Sequence, residues 1–151
     1  MALHITSKTK SLRVQPTSKD ELRFLIKEEL KHQGPDADLN FIDTSEITNM
    51  RSLFYKLDIR NIQIDEWNVS SVTNMEDMFF ECEKFKCDLS GWDVSSVTNM
   101  NGMFYRCKNF NSDLSIWNVS NVTDMSSMFR YCSNFNSDLS KWDVSKVVDM
   151  R

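Results

Sequence analysis

The chain holds 151 residues at net charge −4, with 40% hydrophobic and 26% charged side chains, the balance of one folded, soluble unit. Three Gly and two Pro exclude collagen-like repeats and Gly-rich calcium-binding β-rolls, and no stretch approaches the ~20 apolar residues of a membrane span.

Residues 1–16 read as a flexible segment, with a short strand expected at Ser11–Val14. They contain no apolar run of the signal-peptide kind, so the chain as written reads as cytoplasmic. Residues 17–41 read as a helical cap. Ser18 and Glu21 form a capping box at the start of a helix over 18–33, in which hydroxyl and carboxylate satisfy orphan N–H groups. Leu22, Leu25, Ile26 and Leu30 make one apolar stripe at helical spacing. Gly34-Pro35 ends the helix, because glycine accepts a left-handed cap and proline cannot continue.

Residues 42–151 repeat every 25 residues. Trp67, Trp92, Trp117 and Trp142 keep this spacing, as do Met75, Met100, Met125 and Met150, and Cys82, Cys107 and Cys132. A degenerate copy, Ile42–Met50, precedes three full copies, and a fourth starts at Trp142. Such a period signals units that bury their apolar faces only against their neighbours. The apolar positions within a copy (Leu89, Trp92, Val94, Val97, Met100, Met103, Phe104, Cys107, Phe110) are mostly three or four apart. This predicts a helical turn over Met100–Cys107, capped by Thr98 or Asn99, and a short extended stretch at Asp88–Ser90. The expected fold class is therefore a repeat solenoid, with short parallel strands on one side, short helical turns on the other and an N-terminal capping helix. Val144, Val147, Val148 and Met150 lie at the end of the given sequence, so either residues 143–151 fold over the last coil as an abbreviated cap or that end pairs with another copy as an end-to-end homodimer.

The phrase Phe110–Met128, FNSDLSIWNVSNVTDMSSM, resembles the 25-residue repeat of the BspA-like bacterial leucine-rich-repeat surface-protein family. The segments SKDELRFLIKEEL and DLNFIDTSEITNM resemble the leader before such repeats. The resemblance implies a leucine-rich-repeat-like solenoid, a cell-surface or secreted setting, and adhesion or protein binding.

Residues identical in every copy read as architecture. The Asp88/Asp113/Asp138 and Asn68/Asp93/Asn118/Asp143 columns could supply oxygen ligands to calcium. Their short side chains are better suited to bonding nearby backbone at each corner, so no metal and no cofactor is expected. The Cys column reads as small buried hydrophobes, with Cys87 exposed. His4 and His32 lie outside the repeats and no nucleophile–base pair can be built, so an enzyme is not expected. Function then falls to exposed positions that vary: Phe80, Tyr105 and Arg130 at one, Glu81, Arg106 and Tyr131 at the next, and Lys86, Asn111 and Asn136 along a second strip. Aromatic and Arg side chains are the types that dominate binding surfaces. Residues 1–40 carry seven Lys/Arg and six Asp/Glu, which leaves 11 basic and 16 acidic residues on the repeats. That sign repels phosphates, so the expected partner is another protein, not nucleic acid or membrane. The expected function is a non-catalytic protein-interaction module, and the alternative is a structural protein that assembles through its own ends.

Overall fold

A computed structural model describes residues 13–151. Its one helix among these, α1, spans Lys19–Gln33. Ser18 Oγ accepts the Glu21 N–H at 3.2 Å, as the capping box requires. The returning carboxylate goes one residue further back, accepting the Thr17 N–H at 2.9 Å. Leu22, Leu25, Ile26 and Glu29 form the buried face. Gly34 takes φ 81° and donates its N–H to the Leu30 carbonyl. Arg23 reaches from the helix to the carbonyls of Ser52 and Leu53, at 2.7 and 2.6 Å, so α1 covers the first turns of the repeat region with polar as well as apolar contacts.

The remainder corrects the expected fold class. No strand, no sheet and no second helix forms among the described residues; the β features are six isolated parallel bridges. The strand-and-helix, leucine-rich-repeat-like solenoid is therefore not this fold. The chain instead winds as coils of consecutive turns, with each residue beside its equivalent 25 positions on. Bridges join Asn49 to Asn74, Asn74 to Asn99, Asn99 to Asp124 and Asp124 to Asp149. The same register reaches upstream, where Asp38 bridges Gln63. Of the strand expected at Ser11–Val14, Ser11 and Leu12 lie outside the described residues, and Val14 forms a single bridge to Ile42.

Two local causes explain the difference. The expected helical turn over Met100–Cys107 is interrupted by left-handed residues, Gly102 at φ 62° and Arg106 at φ 57°. They recur at each copy: Ser52, Asp77 and Ser127 beside Gly102, and Lys56, Glu81 and Tyr131 beside Arg106. Left-handed residues cannot continue a right-handed helix. The segment makes isolated four-residue turns, such as Met103 N–H to the Met100 carbonyl and Cys107 N–H to that of Phe104. The N–H groups between them, at Met100, Gly102, Phe104 and Arg106, all point to the next coil, onto the carbonyls of Asp124, Ser126, Met128 and Arg130. The expected extended stretch fails for another reason. Side-chain acceptors take its backbone donors: Asp88 Oδ1 accepts from Ser90 N–H, and Ser112 Oγ from Leu89 N–H.

The core is a set of columns. Phe54, Phe79, Phe104 and Phe129 stack at 5.2–5.8 Å between coils. Within each coil Phe79 packs on Phe85, Phe104 on Phe110 and Phe129 on Phe135, at 4.1–4.3 Å. Stacks of this kind add a directional term to the apolar area they bury.

Candidate functional site

Three invariant columns bond to the neighbouring coil. Each Trp indole donates to the carbonyl 28 residues earlier: Trp67 to Leu39, Trp92 to Ile64, Trp117 to Leu89 and Trp142 to Leu114, at 2.9–3.0 Å. The Cys thiols do the same, Cys82 to Phe54 and Cys107 to Phe79 at 3.0 Å, and Cys132 to Phe104 at 2.6 Å. Burial pushes the Cys82 thiol up to about 12 and Cys107 further in the same direction. Such thiols are poor nucleophiles. Cys87, expected to be exposed, is half-buried, and burial raises it to about 11. Thr73, Thr98 and Thr123 donate hydroxyls to the Thr carbonyl of the preceding coil.

The Asp and Asn columns close turns. Asp88, Asp113 and Asp138 each accept the N–H two residues on, from Ser90, Ser115 and Ser140, at 2.9–3.0 Å. Asn68, Asp93, Asn118 and Asp143 do likewise with Ser70, Ser95, Ser120 and Ser145. Hydrogen bonds from these serines, hydroxyl before N–H at Asp88, Asp93 and Asp143 and N–H before hydroxyl at Asp113 and Asp138, hold the five carboxyls below their ordinary range.

The variable positions behave differently. Phe80 and Tyr105 stack at 4.5 Å, and Tyr131 meets Tyr105 edge-on at 5.6 Å. The Arg106 guanidinium lies over both Tyr105 and Tyr131, at 5.8 and 5.4 Å, and that of Arg130 over Tyr131 at 5.2 Å. Glu81 joins through Arg106 at 3.4 Å. All six candidate residues of this group thus form one contiguous, solvent-facing ladder. The left-handed backbone of Glu81, Arg106 and Tyr131 marks where the coil turns sharply outward beside the buried Cys.

The sequence reading missed the ladder's first rung. Tyr55 stacks on Phe80 at 5.0 Å, with Lys56 over the Tyr55 ring and 3.7 Å from Glu81. The copy before Trp67 diverges in sequence, which hid it. Counting back 25 from Phe80 and Glu81 would have found both residues. Lys86 and Asn111 line a separate, open polar groove of about 740 Å³, with Asn61, Gln63 and Asp113. In the next coil Asn136 donates its N–H to Asn111 Oδ1 at 2.9 Å. No group of three or more His, Cys, Asp or Glu among the described residues is placed to hold a metal ion. No helix among them is long and apolar enough to cross a membrane.

Residues 26–122 and 92–151 match the family model described as Mycoplasma protein of unknown function, DUF285. The chain belongs to this family. No curated protein and no solved structure matches.

Proposed function

We propose that this chain is a non-catalytic protein-binding module whose partner docks on the ladder of Tyr55, Phe80, Tyr105 and Tyr131 with its flanking cations. The observation that supports it is the run of partly exposed aromatic rings packed on each other and on cations along one edge, with Tyr131 52% exposed. Rings already ordered against one another lose little side-chain entropy when a partner covers them, which favours binding. The resemblance to the BspA-like repeat family belongs to the same proposal and directs it to adhesion or partner recognition.

The test is capture of a partner from the source cell by the intact chain and by a Tyr105→Ala/Arg106→Ala/Tyr131→Ala variant. One partner held by the parent and lost by a folded variant supports the reading. Equal capture by both overturns the placement. Light scattering at rising concentration addresses the alternative: reversible growth in mass that the ladder variant leaves intact favours assembly through the ends.

A further inference from the structure

The ladder is electrically polarised along its length. Its acidic residues, Glu76, Glu81 and Glu83, all belong to the first full copy, and no Glu follows residue 83. They are already engaged: Glu76 with Arg51 at 3.4 Å, Glu81 with Lys56 at 3.7 Å and Arg106 at 3.4 Å, and Glu83 with Lys108 at 3.1 Å. Every carboxylate after Glu83 is an Asp committed to its own turn. Asp88, Asp93, Asp113, Asp124, Asp138, Asp143 and Asp149 each accept the N–H two residues on.

At the far end of the ladder Glu81 answers Arg106, and no ion pair among the described residues reaches Arg130. There two guanidiniums flank one phenol ring, Arg106 at 5.4 Å and Arg130 at 5.2 Å from the Tyr131 centroid. Arg130 has no carboxylate partner among the described residues; its side chain meets only Tyr131, ring and hydroxyl. A guanidinium lying over a ring keeps its N–H edge free for a bidentate carboxylate. The edge of Arg130, beside the Arg106–Glu81 pair and exposed aromatic surface, makes a cationic, apolar-backed cradle on a chain of net charge −4.

Resting on the reading that this ladder is the partner face, we infer that the Tyr105/Arg106/Arg130/Tyr131 end docks an acidic segment of a partner protein. An Asp or Glu carboxylate takes the Arg130 guanidinium, and an apolar side chain lies on the ring edges.

The test uses the intact chain and two fluorescein-labelled twelve-residue peptides, one Glu- and Asp-rich with a single Phe, the other with Lys in place of the acids. The acidic peptide is expected to bind, more weakly as salt rises, because exposed charges are screened. Arg130→Glu is expected to lower its affinity by about tenfold or more. Lys141→Glu makes the same charge change at an exposed residue outside both candidate strips and is expected to leave binding unaltered. Arg130 has an ordinary backbone and no ion pair, so its exchange should not disturb folding, and circular dichroism checks this. Failure of the acidic peptide at low ionic strength, equal binding of the Lys peptide, or indifference to Arg130→Glu overturns the inference. Self-association abolished by Arg130→Glu, with no peptide binding, overturns it in favour of a second copy. If a native partner is lost with Tyr105→Ala but retained with Arg130→Glu, the partner face stands and the acidic occupant falls.

Discussion

Two edges of each coil use polar and aromatic side chains to opposite ends. Along the invariant columns the side chains serve backbone: Trp117 donates to the Leu89 carbonyl, Cys107 to that of Phe79, and Asp113 accepts from the Ser115 N–H. Along the ladder, Phe80, Tyr105, Arg106 and Tyr131 meet rings and charges of neighbouring ladder residues. The difference explains which positions vary between copies. A side chain that satisfies a backbone group cannot change without leaving that group unpaired, which costs about 1–3 kcal/mol when it is buried. A side chain that packs on its own column can change whenever its neighbour tolerates it, as from Tyr105 to Arg130.

The largest expected break in this comparison is at the Trp column. Trp117 is 4% exposed and bonded to the neighbouring coil. Trp117→Ala should cost ~3–5 kcal/mol by cavity formation. Trp117→Phe should keep part of the packing but lose the N–H donor, and so fall between. On the ladder, Tyr105→Ala should cost visibly less than either. Urea unfolding of the three variants measures this, and a ladder cost equal to that of Trp117→Ala would remove the distinction between the edges.

The next effect tests the backbone that sets the edges apart. Gly102 sits at φ 62°, and a Cβ there would collide with the Asp77 carboxylate. Gly102→Ala should therefore destabilise by ~1–2 kcal/mol or more, the left-handed penalty plus displacement of Asp77. Ser52 occupies the equivalent position at φ 57°. Ser52→Gly should stabilise by up to ~1 kcal/mol by relieving the same penalty, less the entropy glycine adds to the unfolded chain. Opposite signs at equivalent positions are the signature sought in thermal melts.

The smallest expected effect is the pH dependence carried by the turn carboxylates. Ser90 and Ser95 lower Asp88 and Asp93 through hydroxyl and then N–H, and Ser115 and Ser140 lower Asp113 and Asp138 through N–H and then hydroxyl. A depressed folded value means that the stabilisation is complete above the unfolded Asp pKa of ~3.9 and is lost as pH falls through the folded values. For Asp149, held at about 2 by Arg151, the window extends to the lowest pH. Asp77 has the opposite sign: burial raises it, so it favours the folded state in acid and loses that contribution as pH rises. Melting temperature should fall on acidification below about pH 4. Asp113→Asn, which keeps the acceptor, should flatten that fall without changing the melting temperature at neutral pH by much. A chelator should leave the melting temperature unchanged if these columns act on backbone alone. A drop restored by calcium would give them a second role.

The sequence alone determined the 25-residue register, the capping helix with its Ser18 start and Gly34 stop, and the columns of Trp, Met and Cys, which are buried except in the last copy, where Cys132 and Trp142 are half-buried and Met150 is exposed. Each depends on local chemistry or on exact repetition, which spacing reveals. It also put Phe80, Tyr105 and Arg130 in one column and Glu81, Arg106 and Tyr131 in the next. It could not show that these columns interlock or that Tyr55 and Lys56 begin them. Only the tertiary structure decided that the coils carry neither strands nor helices. Apolar spacing of three or four residues suits a helical turn and a chain of separate turns equally well. What separates them is the sign of φ at Gly102 and Arg106, together with the destination of the N–H groups of Met100, Gly102, Phe104 and Arg106, which is a carbonyl of the next coil. Those acceptors are in place only once the neighbouring coil has folded against the first.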